Sequence, residues 1–267
     1  MIVFKALLLA QWYGLSDRDL EEALNDRISF RKFVGLQWED PSPDASTFSV
    51  FRERLLPIFN KLLRILNEQL EAAGLEIKGV VAVDATLVAA HSKPRGEFTS
   101  DEEASWRGFP SKEGVDASGN KTIARRPALY GYKINLSASI KTGYVSDLSV
   151  CPASEHESRH LKELLGKKTK KVYADKGYYG CKRMLKEWGI KDGIHDKGFR
   201  NRPLTHTQIA RNKSISKRRG IVEGIFGSWK CLYGWVKTKY CGLEKNYLAA
   251  TLTAISWNMK KLAFSST

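Results

Sequence analysis

The sequence predicts an α/β fold in which a helical N-terminal region precedes a domain built on a mixed β-sheet. Helical spacing of apolar residues dominates the first 75 residues, three strand-like segments follow, and helices then alternate with short strands. We therefore expect a helical region over residues 1–75 and an α/β domain over residues 76–267. Residues 92–128, which are polar and rich in Gly and Pro, are expected to form an insertion or loop within that domain.

Helix boundaries are recognisable in the N-terminal region. The first ten residues open a helix, and the spacing of Ser16 and Asp19 predicts a cap for the next one. After Pro41 and Pro43, a further helix is predicted from about residue 44 or 46, and Gly74 ends it.

The second region alternates between the two kinds of spacing. Strands are predicted over residues 79–90, 130–139, 144–150, 171–174 and 193–195, the second and third forming a hairpin. Helices are predicted over residues 154–165, 178–188, 205–235 and 247–262.

The charge distribution indicates a polyanionic partner. The 267 residues include 44 Lys and Arg against 29 Asp and Glu, a net charge of +15, and residues 159–230 alone carry +14. A concentrated basic block favours nucleic acid, with an anionic membrane surface as the weaker alternative. No apolar run approaches the roughly 18–20 residues that span a bilayer, and the four widely spaced cysteines predict free thiols.

Three acids have unusual sequence positions. Asp84 lies inside an apolar strand, Asp175 follows a short strand, and Glu223 is the only acid between Lys197 and Glu244. Three carboxylates on separate elements can hold two divalent cations for phosphoryl transfer. Each acid also has a structural interpretation, because Asp84 can be a paired core acid, Asp175 a helix cap and Glu223 a solvated partner of Arg219.

Other polar and aromatic residues also have both a functional and a structural interpretation. Arg219 and Lys230 have the helical spacing that places them on the face of Glu223. A nucleic-acid backbone could be contacted by the basic residues Lys213, Lys217 and Arg218. Core packing is favoured over base stacking for the aromatic residues Trp106, Tyr178, Tyr179 and Trp229. The spacing of His91, His156 and His160 does not favour metal binding.

Several segments together resemble bacterial insertion-sequence transposases of the DDE type, in the group named after insertion sequence five. They are residues 15–54, the strand segments Val83-Asp84-Ala85-Thr86 and Tyr130-Gly131-Tyr132-Lys133, the turn Ala174-Asp175-Lys176-Gly177-Tyr178, and Arg219 to Glu223 followed by Lys230. The family signature places a Tyr three residues before the Arg, and that position is Ser216 here.

The resemblance implies a ribonuclease-H-like catalytic domain and a DNA-binding N-terminal region. It implies that Asp84, Asp175 and Glu223 are catalytic and bind two Mg²⁺ (or Mn²⁺), and that Arg219 and Lys230 hold DNA phosphates beside Glu223. The positive charges of Lys213, Lys217 and Arg218 add further expected contacts with the DNA backbone. The implied reaction is cleavage at the element ends and transfer of the 3′-hydroxyl into target DNA.

The implied partners are double-stranded DNA, as terminal inverted repeats and target, and further copies of the chain in the active complex, with no membrane. The implied location is the bacterial cytoplasm, in association with the nucleoid. Two alternatives stay open: a catalytically inactive DNA-binding protein derived from an element, and a structure-specific nuclease of the same fold.

Overall fold

A computed structural model describes residues 1–94, 101–115, 121–124 and 126–265 of the chain. Five helices form the N-terminal region and three more lie in the second region: α1 (Ile2–Tyr13), α2 (Asp17–Asp26), α3 (Ile28–Val34), α4 (Ala45–Leu55), α5 (Phe59–Ala72), α6 (Lys182–Glu187), α7 (His206–Leu232) and α8 (Leu243–Ser265). The strands are β1 (Val80–Ala89), β2 (Ser105–Arg107), β3 (Lys112–Val115), β4 (Lys121–Ala124), β5 (Leu129–Ser139), β6 (Val145–Pro152), β7 (Lys171–Ala174) and β8 (Lys191–Ile194).

The main sheet is mixed, as the sequence predicts. Its strands lie in the order β6–β5–β1–β7–β8, and β2 pairs with the start of β5. The pairs β6–β5 and β5–β1 are antiparallel, whereas β1–β7 and β7–β8 are parallel. Helix α7 packs against β1, β5 and β7, so it covers the middle of the sheet.

The helical N-terminal region differs in detail from the prediction. Ser16 and Asp19 form the predicted capping box of α2, and Asp44 caps α4. The long helix predicted up to Gly74 is divided into α4 and α5 by a 3₁₀ turn that contains Pro57, because proline lacks the N–H that a continuous helix needs. Helix α3 was not predicted.

Two predictions for the second region are wrong or incomplete. Residues 154–165 do not form an α-helix; a 3₁₀ turn at Glu157–His160 and further turns replace it. Within 92–128, β2 joins the main sheet and β3 pairs with β4, so this insertion has regular structure. Asp101 anchors it, since the buried carboxylate accepts hydrogen bonds from the Tyr132 hydroxyl and the Gly242 amide. The rest of that prediction, residues 95–100, 116–120 and 125, lies outside the described residues.

The final helix, α8, connects the two regions. Leu248 and Leu252 are buried in the same cluster as Leu20 and Phe48 of the N-terminal helices. Trp12 Nε1 donates to the carbonyl of Ser256 at 2.9 Å. The N-terminal helices therefore complete their core with residues from the other end of the chain.

Candidate active site

Asp84 is placed by the central strand of the sheet. It lies opposite Leu136 of β5, and Leu136 is buried in the cluster that also contains Val222 and Ile225 of α7. Directly paired residues point to the same face of a sheet, so the Asp84 carboxylate faces α7. Its Oδ1 accepts a hydrogen bond from the amide of Ala85 at 2.9 Å.

The neighbouring parallel strand β7 brings Asp175 to the same height in the sheet as Asp84. The last pair between β1 and β7 joins Ala82 to Tyr173, and each acid lies two residues further along the chain, Asp84 within β1 and Asp175 just after β7. Asp175 also caps the 3₁₀ helix Lys176–Cys181, where its carboxylate accepts from the amide of Lys176 at 2.6 Å. Asp175 can therefore cap this 3₁₀ helix and belong to the candidate site at the same time.

The guanidinium of Arg219 joins the three acids. Its nitrogens lie 2.7 Å from Asp84 Oδ2, 3.9 Å from Asp175 Oδ1 and 3.9 Å from Glu223 Oε1. The Arg219 side chain is 8% exposed, whereas the three acids are 21%, 39% and 61% exposed in the same order. Three carboxylates from a strand, a strand end and a helix thus converge on one buried cation.

The environments of the two aspartates differ. Burial raises the pKa of Asp84, and the Arg219 charge and the Ala85 hydrogen bond only partly oppose this effect. Burial also acts to raise the pKa of Asp175, but hydrogen bonds from Lys176 and His195 and the Arg219 charge outweigh it, so the pKa of Asp175 is lowered. Asp84 consequently depends more strongly on a nearby positive charge to stay ionised.

Comparisons with known proteins show the family to which the chain belongs. Residues 76–259 match the family model described as "Transposase DDE domain", and residues 1–54 match the model "Transposase domain (DUF772)". The chain belongs to the DDE transposase family. The transposase for insertion sequence element IS1106 of Neisseria meningitidis serogroup B is 39% identical over 215 residues, which cover 76% of this chain and 73% of that protein.

Family membership establishes the function of the chain at the level of reaction and partner. It is a DNA transposase, an enzyme that acts on DNA by cleavage and strand transfer, and its catalytic domain has a ribonuclease-H-like fold. Enzymes of this family generally depend on divalent metal ions. Among the described residues, no helix is long and apolar enough to cross a membrane.

The donor set of the candidate site suits such ions. All three acids offer carboxylate oxygens, which Mg²⁺ and Mn²⁺ prefer over nitrogen or sulfur ligands. The convergence of the acids on Arg219 shows that they surround a position which attracts positive charge.

His195 is a site residue that the sequence did not reveal. Its Nδ1 lies 3.1 Å from Asp175 Oδ1, and its Nε2 lies 3.1 Å from both the Asn212 carbonyl and the Ser216 hydroxyl. It therefore links Asp175 to helix α7, and Ser216, which occupies the Tyr position of the family signature, contributes to that link. The only sequence signal was a histidine at the end of β8, the strand beside β7.

The basic residues predicted to bind DNA lie along α7. Lys213, Lys217 and Arg218 are exposed, and the Arg218 guanidinium lies over the ring of Tyr173, 5.4 Å from its centre. Lys230 is partly buried in the last turn of the helix. Arg219 differs from this group, because its buried side chain contacts the acids instead of solvent.

The prediction that the aromatic residues pack in the core holds for some of them only. Tyr178 and Trp229 are fully buried, as expected for core residues, and Tyr179 is partly buried. Trp106 is 51% exposed on β2, where its ring packs against Tyr130.

A further group of potential metal ligands among the described residues contains none of the three acids. Ligand atoms of Cys151, Glu155 and His160 lie within 4.8 Å of one another, although their sequence spacing did not suggest it. Each already has a partner, since His160 Nε2 contacts Glu155 at 2.9 Å and the Cys151 thiol accepts from Asn135 and donates to the carbonyl of Lys133. The potential ligand atoms thus contact one another or neighbouring protein groups in the structure.

Proposed function

We propose that Asp84, Asp175 and Glu223 are the catalytic acids of this transposase and that they hold two Mg²⁺ (or Mn²⁺). The observation that carries the proposal is their convergence, from three separate elements, on the guanidinium of Arg219. Bound divalent cations would activate the attacking oxygen and neutralise charge on the leaving oxygen of an in-line displacement. The reaction needs no covalent protein–DNA intermediate.

The roles of the protein groups follow from their surroundings. Asp84 is the most buried of the three acids, so it fixes the inner side of the site. Asp175 is held by the Lys176 amide and His195. Glu223 is the most exposed of the three acids, so we expect it to face the DNA. Arg219 compensates the charge of Asp84 in the structure; with metal bound to that acid, its guanidinium is available to a phosphate oxygen.

We further propose that the exposed basic surface of α7 contacts the DNA backbone. Lys213, Lys217 and Arg218 supply its exposed charges, and Lys230 extends it to the end of the helix. The substrates would be terminal inverted repeats and target DNA. We also propose that residues 1–75 assist DNA binding, that the active complex is a homo-oligomer, and that the enzyme works in the bacterial cytoplasm at the nucleoid. Membership of the insertion-sequence-five group stays a prediction.

The experiment that tests the assignment is cleavage and joining of a DNA carrying the element ends. Asp84→Asn, Asp175→Asn and Glu223→Gln should each abolish Mg²⁺-dependent cleavage while DNA binding, measured by anisotropy, stays within a few fold of the wild type. Glu187→Gln, which changes an exposed acid that pairs with Arg183, is the matched control and should remain active. Cleavage that survives all three substitutions would refute the assignment, and cleavage without joining would indicate a nuclease.

A further inference from the structure

A fourth acid, Glu157, lies beside the turn that carries Asp175. It begins the 3₁₀ turn Glu157–His160 after β6, and this turn packs against the 3₁₀ helix Lys176–Cys181. A Cβ atom added to Gly177 would lie 2.1 Å from Glu157 Oε1. Glycine two residues after Asp175 therefore leaves the space that the Glu157 carboxylate occupies.

The position of the Glu157 turn is fixed from the sheet. Lys133, whose side chain is buried in β5, donates a hydrogen bond from Nζ to the carbonyl of Glu155. Burial lowers the pKa of Lys133, and the negative charge of Glu157 is the largest effect that opposes this. The Lys133 ammonium thus holds the turn by a hydrogen bond and attracts the carboxylate that follows.

The hydroxyl of Tyr178 indicates a ligand near Glu157 and Asp84. Tyr178 is fully buried, and its hydroxyl has no hydrogen-bond partner among the described residues. After burial itself, the charges of Glu157 and Asp84 contribute most to raising the pKa of this hydroxyl. A buried hydroxyl without a hydrogen-bond partner is costly. The Tyr178 hydroxyl, which senses the charges of Glu157 and Asp84, is therefore suited to a polar ligand that the protein itself does not supply.

We propose that Glu157 is a fourth carboxylate of the metal centre and that the Tyr178 hydroxyl donates a hydrogen bond within the occupied centre. The inference rests on the proposed function, because it adds a residue to the same metal site. The negative charge of Glu157 adds to the effects that raise the pKa of Asp84, whereas Arg219 opposes them. Two mutually repelling carboxylates are stabilised when they share a bound cation. The Gly177 backbone and Lys133 place Glu157 for this role.

Mn²⁺ binding by the full chain in the absence of DNA tests the proposal without relying on activity. Electron paramagnetic resonance titration should show that Glu157→Gln lowers Mn²⁺ affinity about tenfold or more, within the range for loss of a supporting or ligating group. The matched control is Glu163→Gln, an acid of the same segment whose carboxylate contacts His160, and its affinity should equal that of the wild type. Tyr178→Phe should lower Mn²⁺ affinity while leaving the melting temperature without metal unchanged or raised.

A double-mutant cycle separates a metal role from a folding role. Gly177→Ala should displace the Glu157 carboxylate and weaken Mn²⁺ binding, but it should have no further effect in a Glu157→Ala background, where the contact is absent. If Asp84→Asn removes Mn²⁺ binding and Glu157→Gln leaves it at the wild-type affinity, the fourth-carboxylate proposal alone is wrong. If the wild-type chain binds no Mn²⁺, the proposed metal site and this inference are both wrong.

Discussion

The substitution Arg219→Gln removes the positive charge at the centre of the three acids. Breaking a buried ion pair by deleting one partner costs about 3–5 kcal/mol. The contact with Asp84 at 2.7 Å is largely buried, whereas Asp175 and Glu223 lie at 3.9 Å and are better solvated. Solvent screens those two contacts, so we expect a loss near the lower limit, about 3 kcal/mol of unfolding free energy.

The metal dependence of that loss distinguishes the site from an ordinary ion pair. Urea unfolding of both proteins should show the full deficit in EDTA and a smaller deficit in MgCl₂, because bound cations replace the missing charge. Arg218→Gln is the matched control: it removes the neighbouring exposed guanidinium that lies over Tyr173, and should cost about 0.5–1 kcal/mol in either solution. An equal Arg219→Gln deficit with and without Mg²⁺ would refute the reasoning.

Three further predictions concern Asp147, His195 and Lys213. Burial raises the pKa of Asp147 to about 6, above its unfolded value of 3.8, so the free energy of unfolding should fall as the pH rises from about 4 to 6. Asp147→Asn should remove this slope and add about 2–3 kcal/mol to the free energy of unfolding at pH 8. Denaturation measured across this pH range tests the prediction, and an unchanged slope in the variant would contradict it. His195→Gln should lower the single-turnover cleavage rate about tenfold at saturating DNA, because Asp175 loses its link to α7. DNA affinity should change little, and equal effects on rate and affinity would show that His195 does not act by positioning Asp175. Lys213→Ala should reduce the salt dependence of DNA affinity by about one phosphate contact, whereas Lys168→Ala, which removes a lysine paired with Glu71, should leave it unchanged.

The elements that position the site were predictable because their signals are local. Asp84 is a single acid within a β-branched strand, and Asp175 follows a short apolar strand before a Gly-containing turn. Helical spacing placed Arg219 and Glu223 one turn apart, and the structure brings them into contact. These patterns need only neighbouring residues, and the confirmed resemblance to DDE transposases assigned them a common chemistry.

The remaining features depend on contacts between distant residues. The sequence placed Arg219 on the helix face of Glu223, but only the packing of α7 on β1 shows that its side chain is buried against Asp84. His195 carried no spacing signal, since its partners Asp175 and Asn212 come from different elements. The helix predicted over 154–165 had apolar spacing, but this segment instead forms a short turn whose backbone is held by Lys133.

The contribution of α8 to the N-terminal core has a consequence for synthesis of the chain on the ribosome. Leu248 and Leu252 fill the cluster formed by α1 to α4, and Gln11 shares a hydrogen bond with Thr253. Domains usually fold in order as they emerge, N-terminal part first. Here the apolar surface of the helices in residues 1–75 is covered only after residues 243–265 have been translated. The helical region and the nuclease-like sheet should therefore mature together, and a chain that stops before α8 should expose that surface to chaperones and proteases.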